Sequence, residues 1–456
     1  MIMKKLLFLA AFLLPMMANA QLGSLVEQPL NGYESSIVRI WQGHDKVLSY
    51  GHIMSGTNTK PVFYLSDYSS FYSPTPPSPT LSMQYAELSA TWGSTDIRFT
   101  DIRDMRIVDD YVFVCGDAYD TNSPQTPTNA IGWFKLNDFA SGNITFKYIK
   151  IPYVWYLKKI AAYQCGLGYT VLALGEDQSS QDYIFEIQNV TTGPLAFSCR
   201  QFFASSFWNK EAADDILVTG REVFVVGNLR TPPSDRQLCI RKADRTQVLS
   251  DPQFDIRYDY TAAIDEVNAN TYSTLIDEEF IATAYVHHTN PDGFSTRLRI
   301  INTQTLDMVN SQEWTIDSKW EPEEMVYENA PKKLVLLHAF GNDWNFLVLD
   351  PMSTVPYVAD YLFHPNAEFY SLDSDQRDMF VSTGAKHWLY FQRLGMSLPS
   401  PSGCPKNDKI EVKSMDNVWT ISNYSALSPL NPGINIMTTS MPSLGWWSVP
   451  ICNSPF

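Results

Sequence analysis

A short apolar run that ends in glycine recurs along most of the chain and constrains its fold more than any other feature. The copies occupy residues 47–51, 111–116, 171–175, 223–227, 336–341 and 379–384, and a seventh copy at 280–285 has Tyr285 in place of the glycine. Successive copies lie between 43 and 65 residues apart. Self-similarity at such a period predicts a repeat fold, in which each unit buries its apolar face against its neighbours.

A second strand-like segment follows each run and usually closes with Asp or Asn. These segments are 62–67, 131–137, 183–189, 238–244, 298–302 and 346–350, and a last copy at 388–393 lacks the polar ending. The glycine permits positive φ or a close approach of two backbones, and the Asp or Asn caps the next turn. Further strand candidates flank these pairs at 102–108, 144–149, 160–162 and 195–203. The repeating unit is therefore predicted to contain four strands.

Four strands per unit, repeated about seven times, resemble the β-propeller superfamily over roughly four-fifths of the chain. The resemblance implies an all-β fold with seven blades of four antiparallel strands, in preference to six or eight blades. Two stacked β-sandwiches are the alternative, but they do not explain a glycine that recurs in register. No named family within the superfamily matches, because the repeated Gly-His and Trp-Asp pairs of WD40 proteins and the double glycine of Kelch repeats are absent.

The first twenty residues read as a signal peptide. Lys4 and Lys5 precede an apolar run at 6–14, and small residues lead to a cleavage site at Ala20-Gln21. The run is too short to span a bilayer, and no later stretch approaches about 18 consecutive apolar residues. We therefore expect an exported mature chain, in the periplasm, at the cell surface or outside the cell, without a transmembrane segment. An uncleaved anchor is the alternative.

The remaining chain divides into three parts. Residues 21–34 are predicted to form an N-terminal segment before the propeller. Residues 35–395 are predicted to form the propeller, and residues 396–456 a closing strand and a tail. A propeller needs its last unit completed, because an unpaired strand edge promotes aggregation. We expect the segment 409–415 or 418–422 to supply that outer strand, with a small separate domain as the alternative for this part of the chain.

Charge and cysteine content narrow the function. The formal net charge is −16, which argues against a nucleic-acid binder because phosphate neutralisation needs a basic surface. Six Cys in an exported chain can form disulfides, and we predict a bond between Cys404 and Cys452, which share the tail. The other four are either bridged or buried free thiols. No Cys-x-x-Cys pair supports a zinc site.

Aromatic residues precede several predicted innermost strands and suggest a ligand site on one face. They are Trp92, Trp155, Trp208 and Trp320, with Tyr258 or Tyr260 in a similar place in the fifth unit. Aromatic rings on one face suit stacking against the apolar faces of sugar rings. The alternative is that these rings pack between neighbouring blades.

Carboxylates cluster at the same strand starts, among them Asp104, Asp215 and Glu324. If they converge on the channel mouth, they can bind a cation or a basic partner, or serve as a glycosidase acid/base pair. Ordinary solvated turns are the alternative. The seven His show no metal-ligand pattern. We expect no metal site and no cofactor, although the sequence leaves calcium at a carboxylate loop open.

Three functional hypotheses remain from the sequence. The first is an exported, non-enzymatic propeller that binds a glycan or a protein through its loop face. The second is a carbohydrate-active hydrolase or lyase that uses carboxylates at the channel mouth. The third is a structural component of an envelope assembly. A fold that hosts many functions does not choose among them.

Overall fold

A computed structural model describes the parts of the chain considered below. They are residues 23–27, 33–55, 58–67, 81–87, 97–120, 123–138, 143–151, 156–176, 182–201, 211–230, 236–245, 255–264, 270–289, 293–316, 321–328, 332–340, 343–352, 358–363, 369–374, 378–383, 387–392, 410–414, 419–422, 434–440 and 443–450.

Strand pairing divides these residues into four-stranded antiparallel groups, which we call units 1 to 7. Unit 1 contains β2 (Tyr33–Trp41), β3 (Lys46–Ser55), β4 (Asn58–Asp67) and β5 (Leu81–Glu87). Unit 2 contains β6 (Ile97–Val108), β7 (Tyr111–Asp120), β8 (Ser123–Lys135) and β9 (Asn143–Ile151). Unit 3 contains β10 (Tyr156–Cys165), β11 (Gly168–Glu176), β12 (Asp182–Val190) and β13 (Ala196–Gln201). Unit 4 contains β14 (Glu211–Val218), β15 (Glu222–Arg230), β16 (Arg236–Asp244) and β17 (Asp255–Ile264).

The remaining units follow the same order from the innermost strand outward. Unit 5 contains β18 (Thr271–Ile276), β19 (Phe280–Thr289), β20 (Gly293–Asn302) and β21 (Met308–Ile316). Unit 6 contains β22 (Glu321–Glu328), β23 (Lys333–Phe340), β24 (Asp343–Leu349) and β25 (Val358–Phe363). Unit 7 contains β26 (Phe369–Ser374), β27 (Asp378–Thr383), β28 (His387–Gln392) and, outermost, β1 (Gly23–Glu27). The tail strands are β29 (Ile410–Ser414), β30 (Trp419–Ser422), β31 (Ile434–Ser440) and β32 (Ser443–Pro450).

The units close into a ring. The first strand of each unit contacts the first strand of the next, and β26 contacts β2, so these inner strands surround a central channel. We call the end of the channel where the inner strands begin the upper end, and the opposite end the lower end. This arrangement confirms the prediction of an all-β propeller.

Aromatic and aliphatic side chains fill the spaces between neighbouring units. Phe63 of unit 1, for example, packs on Phe134 of unit 2 with ring centroids 5.0 Å apart. Phe113 of unit 2 packs in the same way on Tyr169 of unit 3, at 5.4 Å. Each unit therefore buries its sheet faces against its neighbours, as a repeat fold requires.

The strand that completes unit 7 is not the one that the sequence suggested. β1 pairs with β28, from Gly23 opposite Phe391 to Glu27 opposite His387. The predicted closing segments instead extend other units, because β29 pairs with β21 and β30 pairs with β17. The strand contributed by the start of the chain thus joins three strands from much later in the sequence, which holds the two ends of the ring together.

The tail also adds strands to other outer edges. β31 pairs with β9 in unit 2, and β32 lies between β5 of unit 1 and β1 of unit 7. Units 1 and 7 are therefore hydrogen-bonded into one sheet through β32. Covering outer strands in this way protects backbone groups that otherwise pair with another chain.

In units 1 to 4 the recurring glycine lies opposite a β-bulge of the inner strand, whereas in units 6 and 7 the residues opposite the bulge are His338 and Thr383. Gly51, Gly116, Gly175 and Gly227 each pair with the residue that directly precedes the register shift. None of these four has positive φ. A Cβ on Gly116 would clash with the backbone of Asp101 and Ile102. Of the two reasons for the glycine, close backbone approach is therefore the one that applies there.

Substituting Gly116 by alanine is expected to lower the free energy of unfolding by about 1–3 kcal/mol, because the bulge must move to admit a methyl group. Urea unfolding followed by tryptophan fluorescence measures the change. Gly220→Ala is the matched control, since a Cβ there would meet only the side-chain oxygen of Glu278, at 3.3 Å. Equal stability of the two variants would contradict the steric argument.

Three of the six cysteines fall among the described side chains and are free thiols. Cys115 and Cys239 are buried, and Cys165 is exposed. Burial raises the pKa of the Cys239 thiol, which keeps it protonated and unreactive. Cys404 and Cys452 lie outside the described residues, so their bond stays a prediction.

Candidate functional site

The inner strands have one edge that faces the channel without a strand partner, and their N–H groups need acceptors. Carboxylates of the preceding unit supply them. The recurring bonds run from the N–H of Ile160 to Asp104 (3.0 Å), from Ser273 to Asp215 (3.1 Å) and from Leu372 to Glu324 (3.2 Å). The three predicted carboxylates therefore fasten unit 2 to unit 3, unit 4 to unit 5 and unit 6 to unit 7 at the channel.

A second row of acceptors lies nearer the upper end, where each inner strand begins. The bonds run from the N–H of Leu157 to Asn129 (3.1 Å), from Ala213 to Asp182 (2.7 Å) and from Thr271 to Asp214 (3.0 Å). The polar residues that cluster at the strand starts in the sequence thus include carboxylates that the fold itself uses.

Arg39 of unit 1 bonds to three other units, 2, 6 and 7, at the centre of the ring. Its Nε donates to the carbonyl oxygen of Met105 at 2.8 Å, and its Nη2 lies 3.0 Å from Asp104 Oδ1 and 3.5 Å from Glu324 Oε1. Its Nη1 donates to Ser371 Oγ at 2.8 Å. Arg39 is only 6% exposed, so these bonds replace nearly all of its contacts with water.

The pKa of Asp104 reflects this arrangement. Burial alone would raise it, but the combined attraction of Arg106, Lys159 and Arg39 and the N–H of Ile160 lower it below the usual value. Asp104 is therefore ionised inside the ring, and its charge is compensated by cations from three units. The carboxylate functions here as an electrostatic anchor.

Below this ring, the channel widens into a cavity of ≈ 360 Å³. It reaches Val108 and Val218, the last residues of β6 and β14, so it lies toward the lower end. Its charged lining is asymmetric. The cations come from units 1 to 3 and the carboxylates from units 4, 6 and 7: Arg39, Arg106 and Lys159 against Asp215, Glu324 and Asp373.

Two partly buried carboxyl groups outside this cavity lining have strongly raised pKa values. Burial raises the pKa of Asp214 to about 7, although Lys158 and hydrogen bonds from Thr271 oppose the shift. Burial and the neighbouring Glu321 and Glu324 raise the pKa of Glu323 to about 7. Both groups bind protons more tightly in the folded state than in the unfolded chain.

This proton uptake predicts a pH dependence of stability. An acid with a raised folded-state pKa stabilises the fold below its unfolded pKa and loses that contribution as pH rises through about 7. The stability of Asp214→Asn relative to the native chain is therefore expected to be greater at pH 8 than at pH 5. Urea unfolding at the two pH values measures this, with the exposed Asp307→Asn as control. A relative stability that does not change with pH would contradict the prediction.

The predicted site residues fall into two groups. The structure brings Asp104, Asp215 and Glu324 together at the channel, although their role in ligand binding stays a prediction. The four tryptophans, Trp92, Trp155, Trp208 and Trp320, lie outside the described residues. Tyr258 and Tyr260 lie on β17, the fourth strand of unit 4, and not at the start of the fifth unit. Their placement in the sequence analysis was wrong.

The sequence holds no pattern that identifies the cations of the channel. Arg106 Nη2 lies 3.7 Å from the Asp104 carboxylate. Arg39 and Lys159 carried no pattern of their own. His52 Nε2 lies 3.7 Å from Asp101 Oδ1, a pairing that no sequence pattern predicts. The acid and the imidazole come from different units, so sequence distance hid the pair.

Within the described parts of the chain, no group of three or more His, Cys, Asp or Glu side chains is arranged to hold a metal ion. No helix in those parts has the length and apolar character needed to cross a membrane.

Comparisons with known proteins add a weak likeness to other propellers. No family model matches the sequence, and no curated protein matches it significantly. Sqt1 of Chaetomium thermophilum, solved with the N-terminus of the ribosomal protein L10, aligns at 8% identity with a TM-score of 0.45, covering 80% of this chain and 100% of that one. Semaphorin 2a of Drosophila aligns at 8% identity with a TM-score of 0.47, covering 80% and 75%.

A bacterial protein is more distant still. BamB of Moraxella catarrhalis aligns at 10% identity with a TM-score of 0.25, covering 66% of this chain and 98% of that one. Likenesses this low do not transfer a function. The closed ring of four-stranded antiparallel units nevertheless identifies the fold, and the chain is a β-propeller.

Proposed function

We propose that this chain is an exported, non-enzymatic propeller that binds a glycan or a protein partner at its upper end. The observation that carries the proposal is the position of the four tryptophans in the chain. Each lies in a connection from the outer strand of one unit to the inner strand of the next: 88–96, 152–155, 202–210 and 317–320. The outer strand before each connection ends, and the inner strand after it begins, at the upper end of the propeller. Loops between strands commonly carry binding residues.

The use of the central carboxylates favours binding over hydrolysis. Asp104, Asp215 and Glu324 each accept a backbone N–H from the next unit. A glycosidase acid/base pair must exchange protons with substrate and water. Carboxylates that fasten adjacent units cannot change protonation state without weakening the ring, which supports a binding module.

Binding of purified residues 21–456 to a broad glycan array tests the proposal. We expect specific binding to a subset of glycans, and we expect its loss when Trp92, Trp155, Trp208 and Trp320 are changed to alanine. The variant must retain the native circular dichroism spectrum and urea midpoint. A variant with the same four positions changed to phenylalanine keeps aromatic faces and is expected to retain part of the affinity.

The same preparation separates the proposal from its rivals. Release of shorter glycans during incubation would overturn the non-enzymatic assignment. Full binding by the alanine variant would overturn the upper-end site. If no glycan binds, cross-linking in extracts of the source cells tests for a protein partner. The alanine variant is then expected to lose the partner that the native chain captures. Export is tested by comparing cell fractions for the full chain and for a chain that lacks residues 1–20.

A further inference from the structure

The central cavity is a second candidate site, at the other end of the channel from the tryptophan connections. Its volume of ≈ 360 Å³ lies at the small end of the range of about 300–1,000 Å³ that is usual for ligand pockets. Seven inner strands contribute to its walls and ring, so its shape is fixed by the fold rather than by loops. Rigid, convergent polar groups of this kind favour binding of one small molecule.

The cavity holds one cationic group that donates no hydrogen bond to a described residue. Lys159 lines it, and its ammonium group makes no hydrogen bond or ion pair with any described residue, although Asp104, Asp215 and Glu324 attract it electrostatically. That attraction outweighs burial and raises the pKa of Lys159, so the group stays charged. Its three N–H bonds therefore remain available to a ligand.

Arg106 stands directly beside this lysine. Its Nε donates to the carbonyl oxygen of Ile160, the residue after Lys159, at 3.2 Å. Its side chain is 33% exposed, in contrast to the buried Arg39. Two adjacent cations, one with a planar guanidinium and one with a free ammonium, form a receptor for a carboxylate.

The wall that units 4 and 5 form, directly beside Lys159, is already supplied with donors and offers remaining acceptor capacity. Asp215 accepts the N–H groups of Ile216 and Ser273, at 2.9 and 3.1 Å. Ser273 and Tyr272 also line this side of the cavity. The Ser273 hydroxyl donates to Thr283 Oγ1 at 3.2 Å, so it offers a ligand its acceptor lone pairs. Together with the Asp215 carboxylate, these acceptors suit the hydroxyls of a ligand. Charges on the two walls nearly cancel, so the cavity favours a polar ligand with one acidic group.

We propose that the central cavity binds a small sugar acid, whose carboxylate lies between Arg106 and Lys159 and whose hydroxyls face Asp215 and Ser273. The ligand reaches the cavity from the lower end. This site does not depend on the proposed function at the upper end, and either can fail without the other.

Isothermal titration calorimetry of the purified chain with D-glucuronate and D-glucose tests the proposal. The two sugars share a ring and differ in the carboxylate. We expect saturable binding of glucuronate and binding of glucose that is weaker by about tenfold or more, the effect of losing a charge-assisted hydrogen bond. Acetate, which has the carboxylate without hydroxyls, is expected to bind more weakly than glucuronate by a similar factor.

Variants assign the site. Lys159→Met and Arg106→Gln are each expected to weaken glucuronate binding by about tenfold, and Lys332→Met, on an exposed turn, is expected to leave it unchanged. Equal affinity for glucose or acetate, or no heat with glucuronate or galacturonate, would overturn the proposal. If Lys159→Met does not fold, Arg106→Gln and the comparison of the two sugars on the native chain still decide.

Discussion

Replacing Arg39 by methionine is expected to lower the free energy of unfolding by about 3–5 kcal/mol, the usual cost of removing one partner from a buried ion pair. The substitution leaves Asp104 buried without its closest cation and removes the bonds to Met105 and Ser371. Methionine fills a similar volume, so the loss reports on charge and hydrogen bonding rather than on a cavity. Urea unfolding followed by tryptophan fluorescence measures the change.

Arg103→Met is the matched control for this prediction. Arg103 is one residue before Asp104 and pairs with Asp117, but its side chain is 46% exposed. Exposed ion pairs contribute only about 0–1 kcal/mol. Similar losses for the two variants would show that the central ring does not depend on Arg39 more than on a surface charge.

The architecture was predictable because it depends on a local rule that repeats. At Gly116, a bulge in the inner strand brings two backbones so close that only glycine fits opposite. A glycine occupies the equivalent position in units 1 to 4, and similar apolar runs in the other units extend the period along the chain. Apolar alternation around them then identifies the strands. Fold and repeat could therefore be predicted without any known relative.

The roles of the charged residues could not be predicted in the same way. A bulge changes the directions in which two neighbouring side chains point, so that they contact different partners, as for Lys158 and Lys159. Lys158 binds Asp182 at 2.9 Å and Glu176 at 2.7 Å within its own unit, whereas Lys159 lines the channel. In sequence the two lysines look like one solvated patch. Their difference depends on a register shift that no composition or motif records.

The roles of the central carboxylates could not be predicted from the sequence either. Asp104 and Asp215 were singled out because acidic residues gather at strand starts, and the structure does bring them to the channel. Their partners, however, are backbone N–H groups of the next unit, 56 and 58 residues away in sequence. A backbone N–H is present in every residue except proline, so the type of the donor residue does not reveal such a bond. Sequence could therefore locate these groups but could not identify their task.

Removing the strand that completes unit 7 is expected to have the largest effect of any change to the chain. Deleting residues 21–32 takes away β1, which pairs with β28 on one side and with β32 on the other. Unit 7 then loses its outer strand, and the sheet that joins units 1 and 7 is broken. We expect loss of the soluble, folded monomer, measured by size-exclusion chromatography and circular dichroism, because the exposed edge of β28 is free to pair with other chains.

Strand replacement distinguishes this mechanism from a general effect of truncation. A synthetic peptide of residues 21–32, added during refolding of the truncated chain, is expected to restore the monomer, since β1 is held by backbone pairing on both edges. The same peptide with Leu25→Pro is the matched control. Leu25 lies opposite Leu389 of β28 and Val449 of β32, and proline cannot donate to either neighbour. Recovery with both peptides, or a folded monomer without any peptide, would show that β1 is dispensable for closing the ring. Recovery with the native peptide alone would show that ring closure depends on the backbone hydrogen bonds of this one strand.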